Sequence, residues 1–148
     1  MGQLWLLDGD EMVLAALHGD GFEIFSIGAR RNAENMLAGS AAASGQVLRI
    51  DDTAAPQDEA HAPFAGYFSE QGHRSWVIVP LLREGKAIGT FSLGRTEPHP
   101  FGAPEVAFVE TFVAQAVIAI ENARLFNESA WPRSRWASSS KRSPRQKP

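Results

Sequence analysis

The sequence predicts an α+β fold: a central antiparallel sheet of five or six strands, with a long C-terminal helix on one face and short helices and loops over the other. Three observations carry that reading. Apolar runs occur in pairs joined by short polar connectors. One continuous helical pattern fills residues 103–128. The helical stretches are segregated from the strand pairs rather than alternating with them.

In chain order, Gln3 to Leu7 and Met12 to His18 are apolar-rich runs separated by Asp8-Gly9-Asp10-Glu11. Asp-Gly is a favoured type I′ turn pair, which predicts a hairpin; a plain turn also accounts for the three acids without a calcium ion. Residues 21–28, GFEIFSIG, suggest a short strand. ENMLAGSAAAS (34–44) reads as a helix of small residues stopped near Gly45, and QVLRI (46–50) as a strand ended by Asp51-Asp52-Thr53. The mixed stretch 56–72 suggests one or two short helical turns carrying Phe64, Tyr67 and Phe68.

The clearest hairpin is RSWVIVPLLREGKAIGTFSLGRT (74–96). With Glu84-Gly85 as its turn, Val77 and Val79 stand across from Ser92 and Thr90, and Trp76 and Ile78 across from Leu93 and Phe91. That register gives one small face and one bulky face, so the hairpin belongs in the middle of a sheet covered on both sides.

The helix from about Ala103 to Glu128 has Pro104 in its first turn and Glu105 near the positive end of its dipole. At roughly 100° per residue, Val106, Val109, Phe112, Val113, Ala116, Val117, Ala119, Ile120 and Ala123 make one broad apolar face. A second, narrower stripe of Ala107, Ala114, Ile118 and Leu125 is spaced like a heptad seam and calls for another helix.

Composition bounds the function. The chain has 148 residues, 44% hydrophobic and 21% charged, as expected of one ordinary globular domain. No apolar run approaches the ~20 residues of a membrane span, and the first residues are not a signal peptide. There is no cysteine, which removes disulfides, thiolate metal sites and thiol chemistry, and a cytoplasmic setting fits best. The net charge of −3 is uneven. Residues 129–148 hold six basic residues and no acid, leaving eight basic against 17 acidic residues in 1–128. An acidic body is not that of a nucleic-acid binder. The tail, rich in Ser, Pro and Arg without apolar period, reads as disordered.

Catalytic patterns are missing. There is no Gly-x-Ser-x-Gly elbow, no His-Glu-x-x-His, no phosphate-binding Gly-x-x-x-x-Gly-Lys and no Gly-x-Gly-x-x-Gly. His18, His61, His73 and His99 lack metal-ligand spacing. Asp51, Asp52, Asp58 and Glu59, with His61, read more simply as a solvated loop whose side chains cap a following helix than as a metal or acid–base cluster.

The order of elements meets particular residues in RSWVIVPLLREGKAIGTFSLGRTEPHPFGAPEVAFVETFVAQAVIAIENARLFNE (74–128), which closely resembles the second half of a bacterial GAF domain. The resemblance rests on Val79-Pro80-Leu81, Ile88-Gly89 and Gln115 to Phe126; QLWLLDGDEMVLAALHG (3–19) is similar to the family's first two strands and VLRIDDTAA (47–55) to its third strand and acidic turn. It covers residues 1–128, leaving 129–148 as the tail. The wording looks most like GAF domains of bacterial cyclases and sensor histidine kinases, which are sensory or dimerising modules fused to an output domain. The resemblance implies a sheet with terminal helices on one face and a ligand cavity on the other.

Three departures qualify it. The family usually has a helix before the first strand, whereas Gln3 already stands at the strand, so the seam is expected to lack its partner. No output domain is expected from the residues that follow the long helix. The bilin-anchoring cysteine of phytochrome-type members and the catalytic cysteines of the free-methionine-sulfoxide reductases are absent, as is the Asn-Lys…Phe…Asp-Glu pattern of the cyclic-nucleotide-binding members.

The resemblance therefore implies a non-catalytic regulatory module of a signal-transduction protein, binding a small molecule non-covalently or transmitting through its C-terminal helix. A purely structural dimerisation unit without ligand is the alternative. The expected pocket lies between the bulky hairpin face (Trp76, Ile78, Phe91) and the segment carrying Phe64, Tyr67 and Phe68, with His73 or Arg74 at its mouth. The opposite assignment of sheet faces stays open. No metal and no covalent cofactor is expected, and the expected partner is a second copy docked along Ala107, Ala114, Ile118 and Leu125.

Overall fold

The two long hairpins seen in the sequence pair with each other at the centre of one antiparallel sheet. In the computed structural model, which describes residues 1–19, 25–59, 61–70 and 72–129 and their side chains except at 63, 65, 67 and 129, six strands form this sheet. They are β1 (Gly2–Asp8), β2 (Glu11–His18), β3 (Arg30–Asn32), β4 (Leu48–Ile50), β5 (Ser75–Arg83) and β6 (Lys86–Arg95), in the spatial order β3-β2-β1-β6-β5-β4. The helices are α1 (Leu37–Ser44), α2 (Ala62–Glu70) and α3 (Ala103–Ser129), with a single 3-10 turn at Ala33–Asn35 ahead of α1. The class is the one the sequence predicts, an antiparallel sheet of six strands with a long C-terminal helix. Residues 21–24 of the expected 21–28 strand, and the tail beyond 129, lie outside the described residues; the rest of that stretch, 25–28, is not strand but a loop that turns at Gly28, whose φ is 90°.

Local chemistry explains most boundaries. Helix α1 stops at Gly45, whose φ of 66° is a left-handed C-cap and whose N–H bonds back to Ala41. The β5–β6 hairpin turns on Glu84 and Gly85, both at positive φ (50° and 79°), as a type I′ turn requires. The β1–β2 turn differs from expectation. Asp8 pairs with Glu11, so the turn residues are Gly9 and Asp10, and only Gly9 has positive φ. Strand β3 was not expected from the sequence; its three residues are charged or polar and exposed at the sheet edge.

Strand β5 is buried from Ser75 through Leu81 because both sheet faces are covered there. On one face Val77, Val79 and Leu81 pack against Val109, Val113 and Val117 of α3, with Phe101 closing the end. On the other, Trp76 and Ile78 pack with Leu37 and Ala41 of α1, Ile50, and Phe64 and Phe68 of α2. Trp5, Met12 and Leu14 extend this second layer beneath Ala38.

The β6 residues occupy the opposite faces from those expected. Ile78 pairs with Ser92 and Val79 with Phe91, one residue away from the simple hairpin register. Between Leu81↔Gly89 and Leu82↔Ala87 the ladder skips Ile88, a bulge that moves every later β6 side chain to the other face. Phe91 and Leu93 thus lie under α3, where Phe91 meets Phe112 at 5.4 Å between ring centroids, and Thr90 and Ser92 face α1.

The buried face of α3 is narrower than the pattern suggests. Val109, Val113 and Val117 are buried and Val106, Ala116 and Ile120 half-buried, but Phe112, Ala119 and Ala123 are exposed, as is every residue at 122–128. Within Ala103–Glu128, an 18-residue window has a mean hydropathy of 1.5, long and apolar enough to cross a membrane by length and composition. This corrects the expectation that no apolar run approaches a membrane span; isolated charged residues such as Glu110 and Glu121 break up its pattern in the sequence. In this fold its valine face is committed to the sheet.

Candidate functional site

Between the sheet and the α1–α2 layer is a cavity of about 340 Å³, at the small end of ligand-site volumes. Its floor is a cross-strand row set by register: Ile78 on β5, Ser92 on β6 and Gln3 on β1. Trp76 and Trp5 flank that row. The walls are Phe64 and Phe68 of α2, Phe25 and the start of α1, Met36 to Ala38; Arg31 of β3 and Asn35 stand at the rim.

Trp76 is held in place by its surroundings. Its ring packs on Phe68 at 4.6 Å and edge-on to His73 at 5.4 Å between centroids. Trp5 meets Phe25 edge-to-face at 5.6 Å, and the Arg31 guanidinium sits 5.3 Å from the centre of the same Phe25 ring.

Gln3 is the unusual floor residue, polar and only 6% exposed. The Trp5 indole N–H donates to Gln3 Oε1 at 2.9 Å. An indole can only donate, so this bond fixes which end of the amide is oxygen and turns Nε2 away from Trp5. Among the described residues Gln3 Nε2 has no hydrogen-bond partner. Leaving a buried amide donor unpaired costs about 1–3 kcal/mol.

Charge at the rim is uneven. Arg30 is bound by Asp8 and Glu11, each at 2.8 Å. Its neighbour Arg31, whose strand partner Met12 faces the cavity side, meets no carboxylate among the described residues. Among the described residues no Asp or Glu lines the cavity.

Of the residues expected to form the pocket, Phe64, Phe68, Trp76 and Ile78 line it, and the Tyr67 side chain lies outside the described residues. Three are elsewhere. Phe91 is on the α3 face because of the Ile88 bulge. Arg74 is held by Asp52 in a bidentate pair, Nε to Oδ1 at 2.8 Å and Nη2 to Oδ2 at 2.9 Å. His73 is buried behind Trp76 and borders a separate surface depression with Arg95 and His99. The sequence reading missed Gln3, Arg31, Asn35 and Ser92. The first and last had a usable signal, a polar residue at an inward strand position, but only once the register is known.

The acidic loop behaves as a set of caps and clasps. Asp52 Oδ1 also accepts from the Ala54 N–H, and Asp58 Oδ1 accepts from the His61 N–H. The Arg74 guanidinium, then the Ala54 N–H, hold the Asp52 carboxyl below its usual range. Among the described residues no group of His, Asp and Glu is placed to hold a metal ion.

Residues 1–121 match the family model of the GAF domain. No curated protein sequence matches the chain. Among solved structures, the chain is similar to the GAF domain of a two-component sensor histidine kinase from Bacillus halodurans: 22% identity, 85% of this chain and 84% of that one covered, TM-score 0.71. It is similar also to the GAF domain of a phosphoenolpyruvate-protein phosphotransferase from Coxiella burnetii, at 24% identity, 86% and 74% coverage and TM-score 0.69. The phycocyanobilin-bound GAF domain of a cyanobacterial phytochrome matches at 18% identity, 84% and 75% coverage and TM-score 0.66. At these identities the structures speak for the fold, and the match over residues 1–121 speaks for descent: the chain belongs to the GAF domain family.

Proposed function

We propose that this chain is a non-catalytic sensory module of a signal-transduction protein, taking a small molecule non-covalently in the cavity between the sheet and α1–α2. The observation that carries the reading is the cavity itself, about 340 Å³ and lined by aromatic side chains from the sheet and from α2. A module built only to pack would fill that space with its own side chains. Sensor kinase and phytochrome GAF domains of the same fold support a signalling role, and the phytochrome domain holds its ligand as phycocyanobilin. Strand β5 offers a route outward. Trp76 and Ile78 touch the cavity, while Val77, Val79 and Leu81, alternating with them, touch α3.

The test is a thermal-shift screen of small molecules against the wild type and Ala38→Leu, which puts a larger side chain into the cavity wall. A ligand at about 100 times its Kd adds ~2.7 kcal/mol, a rise of roughly 10 °C in a domain of this size. Ala38→Leu is expected to abolish that rise. A hit that survives Ala38→Leu binds elsewhere and removes the cavity reading.

A second reading, a dimerisation unit, is favoured by a different observation. Ala107, Ala114, Ile118 and Leu125 are all exposed on α3, the last two at 55% and 52%. The two readings are compatible, since a helix that pairs with a second copy is also one whose position a ligand can bias.

A further inference from the structure

Resting on the reading of α3 as a helix that pairs with a second copy, we infer the orientation of that pair: the two α3 helices run antiparallel, each laying its exposed C-terminal turns along the first half of the other. The order of small and large residues along the seam carries the inference. Ala107, Thr111, Ala114, Ile118, Glu121 and Leu125 share one side of the helix, with the alanines first and the large apolar residues later. A two-fold axis relates two copies of one chain, so an antiparallel seam pairs residues equidistant from one central level. With that level at Ala116, Ala107 meets the partner's Leu125, Ala114 meets the partner's Ile118, and Thr111 meets the partner's Glu121. Each alanine receives a large side chain, so no layer is left empty. On the flank, and within one residue of the same centre, Glu110 meets the partner's Arg124. Symmetry makes that contact of opposite charges twice.

The parallel alternative sets every residue against its own copy. Ala107 and Ala114 then leave gaps between helices that Ile118 and Leu125 hold apart. Glu121 would face Glu121 of the partner subunit, and that carboxylate is ionised. Its side chain is 18% exposed and is bound by Arg83 at 2.7 Å and Arg124 at 3.2 Å, which hold it below its usual range. Two such charges in one layer repel, whereas the antiparallel pair sets each against a neutral threonine. The surroundings of the helix point the same way. Val109, Val113 and Val117 rest on the sheet, while every residue at 122–128 is exposed. Antiparallel pairing lays those bare turns beside the half of the partner helix that its own domain supports. The two helices then leave the dimer at opposite ends.

Disulfide trapping tests the orientation, and a chain with no cysteine of its own gives it a clean background. Ala107→Cys and Leu125→Cys change exposed positions, where folding is unaffected. Each variant is equilibrated in a glutathione redox buffer, alone and as an equal mixture, and the products are identified by non-reducing gel and intact mass. The mixed disulfide between the two variants is expected as the main cross-linked product of the mixture. Each variant alone should stay uncross-linked, because the two copies of position 107 lie about 27 Å apart along an antiparallel pair, far beyond the reach of a disulfide. Cross-linked homodimers of each variant alone, with no mixed product, would show a parallel pair; they overturn the orientation and leave dimerisation standing. No cross-link in any sample overturns the orientation as well. Dimerisation through α3 then falls with it only if light scattering finds the wild type monomeric.

Discussion

The indole of Trp76 lies against Gly94, its cross-strand partner, so closely that a Cβ at position 94 would stand 2.8 Å from the ring. Gly94 has ordinary negative φ, so the glycine is there for space and not for backbone freedom. The strand surface it vacates is where one of the cavity's tryptophans rests, an aromatic ring covering a glycine across the ladder.

Gly94→Ala is therefore expected to push the Trp76 ring toward Phe68 and the cavity. Overpacking of this kind costs about 1–3 kcal/mol, a fall of several degrees in melting temperature. In the Gly94→Ala background, Trp76→Phe should cost less than it does in the wild type, because a smaller ring clears the new methyl. Additive losses would show that the two positions are not in contact.

Gly89→Ala is a harsher change for a related reason. A Cβ there would come within 2.2 Å of the Trp5 carbonyl oxygen, a backbone atom of β1 in the middle of the sheet that cannot rotate away. The loss should exceed the roughly 3 kcal/mol that bounds ordinary overpacking, and the urea midpoint of Gly89→Ala should fall below that of Gly94→Ala. The reverse ranking would mean that the indole, and not the ladder, is the firmer neighbour.

These two glycines mark where the sequence was legible and where it was not. The β5–β6 hairpin announces itself through its Glu84-Gly85 turn, but its register depends on Ile88, which reads as one more apolar strand residue and is in fact the bulge. One skipped residue exchanges the faces of Phe91 and Ser92, so the pocket loses a predicted aromatic and gains a polar floor. Strand β3 is invisible because Arg30–Asn32 has no alternation, its strand character coming wholly from pairing with β2. Arg74 looked like a free cation in one dimension; Asp52, 22 residues away, claims it in three.

That Arg74–Asp52 pair should make stability depend on pH. The loop carrying Asp52 is clasped to the start of β5 by Thr53 Oγ1 donating to the His73 carbonyl at 2.7 Å and Ser75 Oγ donating to the Asp51 carbonyl at 2.6 Å, and the ion pair joins the same clasp. Asp52 has a lowered pKa in the fold, first through Arg74 and then through the Ala54 N–H. A depressed carboxyl contributes stability above its unfolded pKa of about 3.9 and loses it as pH falls through the folded value. Asp52→Asn should therefore melt below the wild type at neutral pH, and the two curves should converge as the pH drops beneath about 4. A gap that stays constant down to the acid transition would assign the loss to geometry and not to charge.

The last expectation concerns α3, which presents two apolar stripes beyond its buried valines. Ala107, Ala114, Ile118 and Leu125 form one; Phe108 and Phe126, at 76% and 70% exposure, lie roughly 100° around the helix from it. Exposed apolar stripes are stabilised by partners, and small residues at 107 and 114 allow two helices to approach closely where bulky phenylalanines would hold them apart. Association along the first stripe is thus the expected mode. Light scattering of Ile118→Lys/Leu125→Lys should then report a monomer where the wild type is a dimer, while Phe108→Lys leaves the dimer intact. A dimer broken by Phe108→Lys and tolerant of the double lysine variant would move the interface to the phenylalanine stripe. A wild type already monomeric at high micromolar concentration would remove the seam altogether.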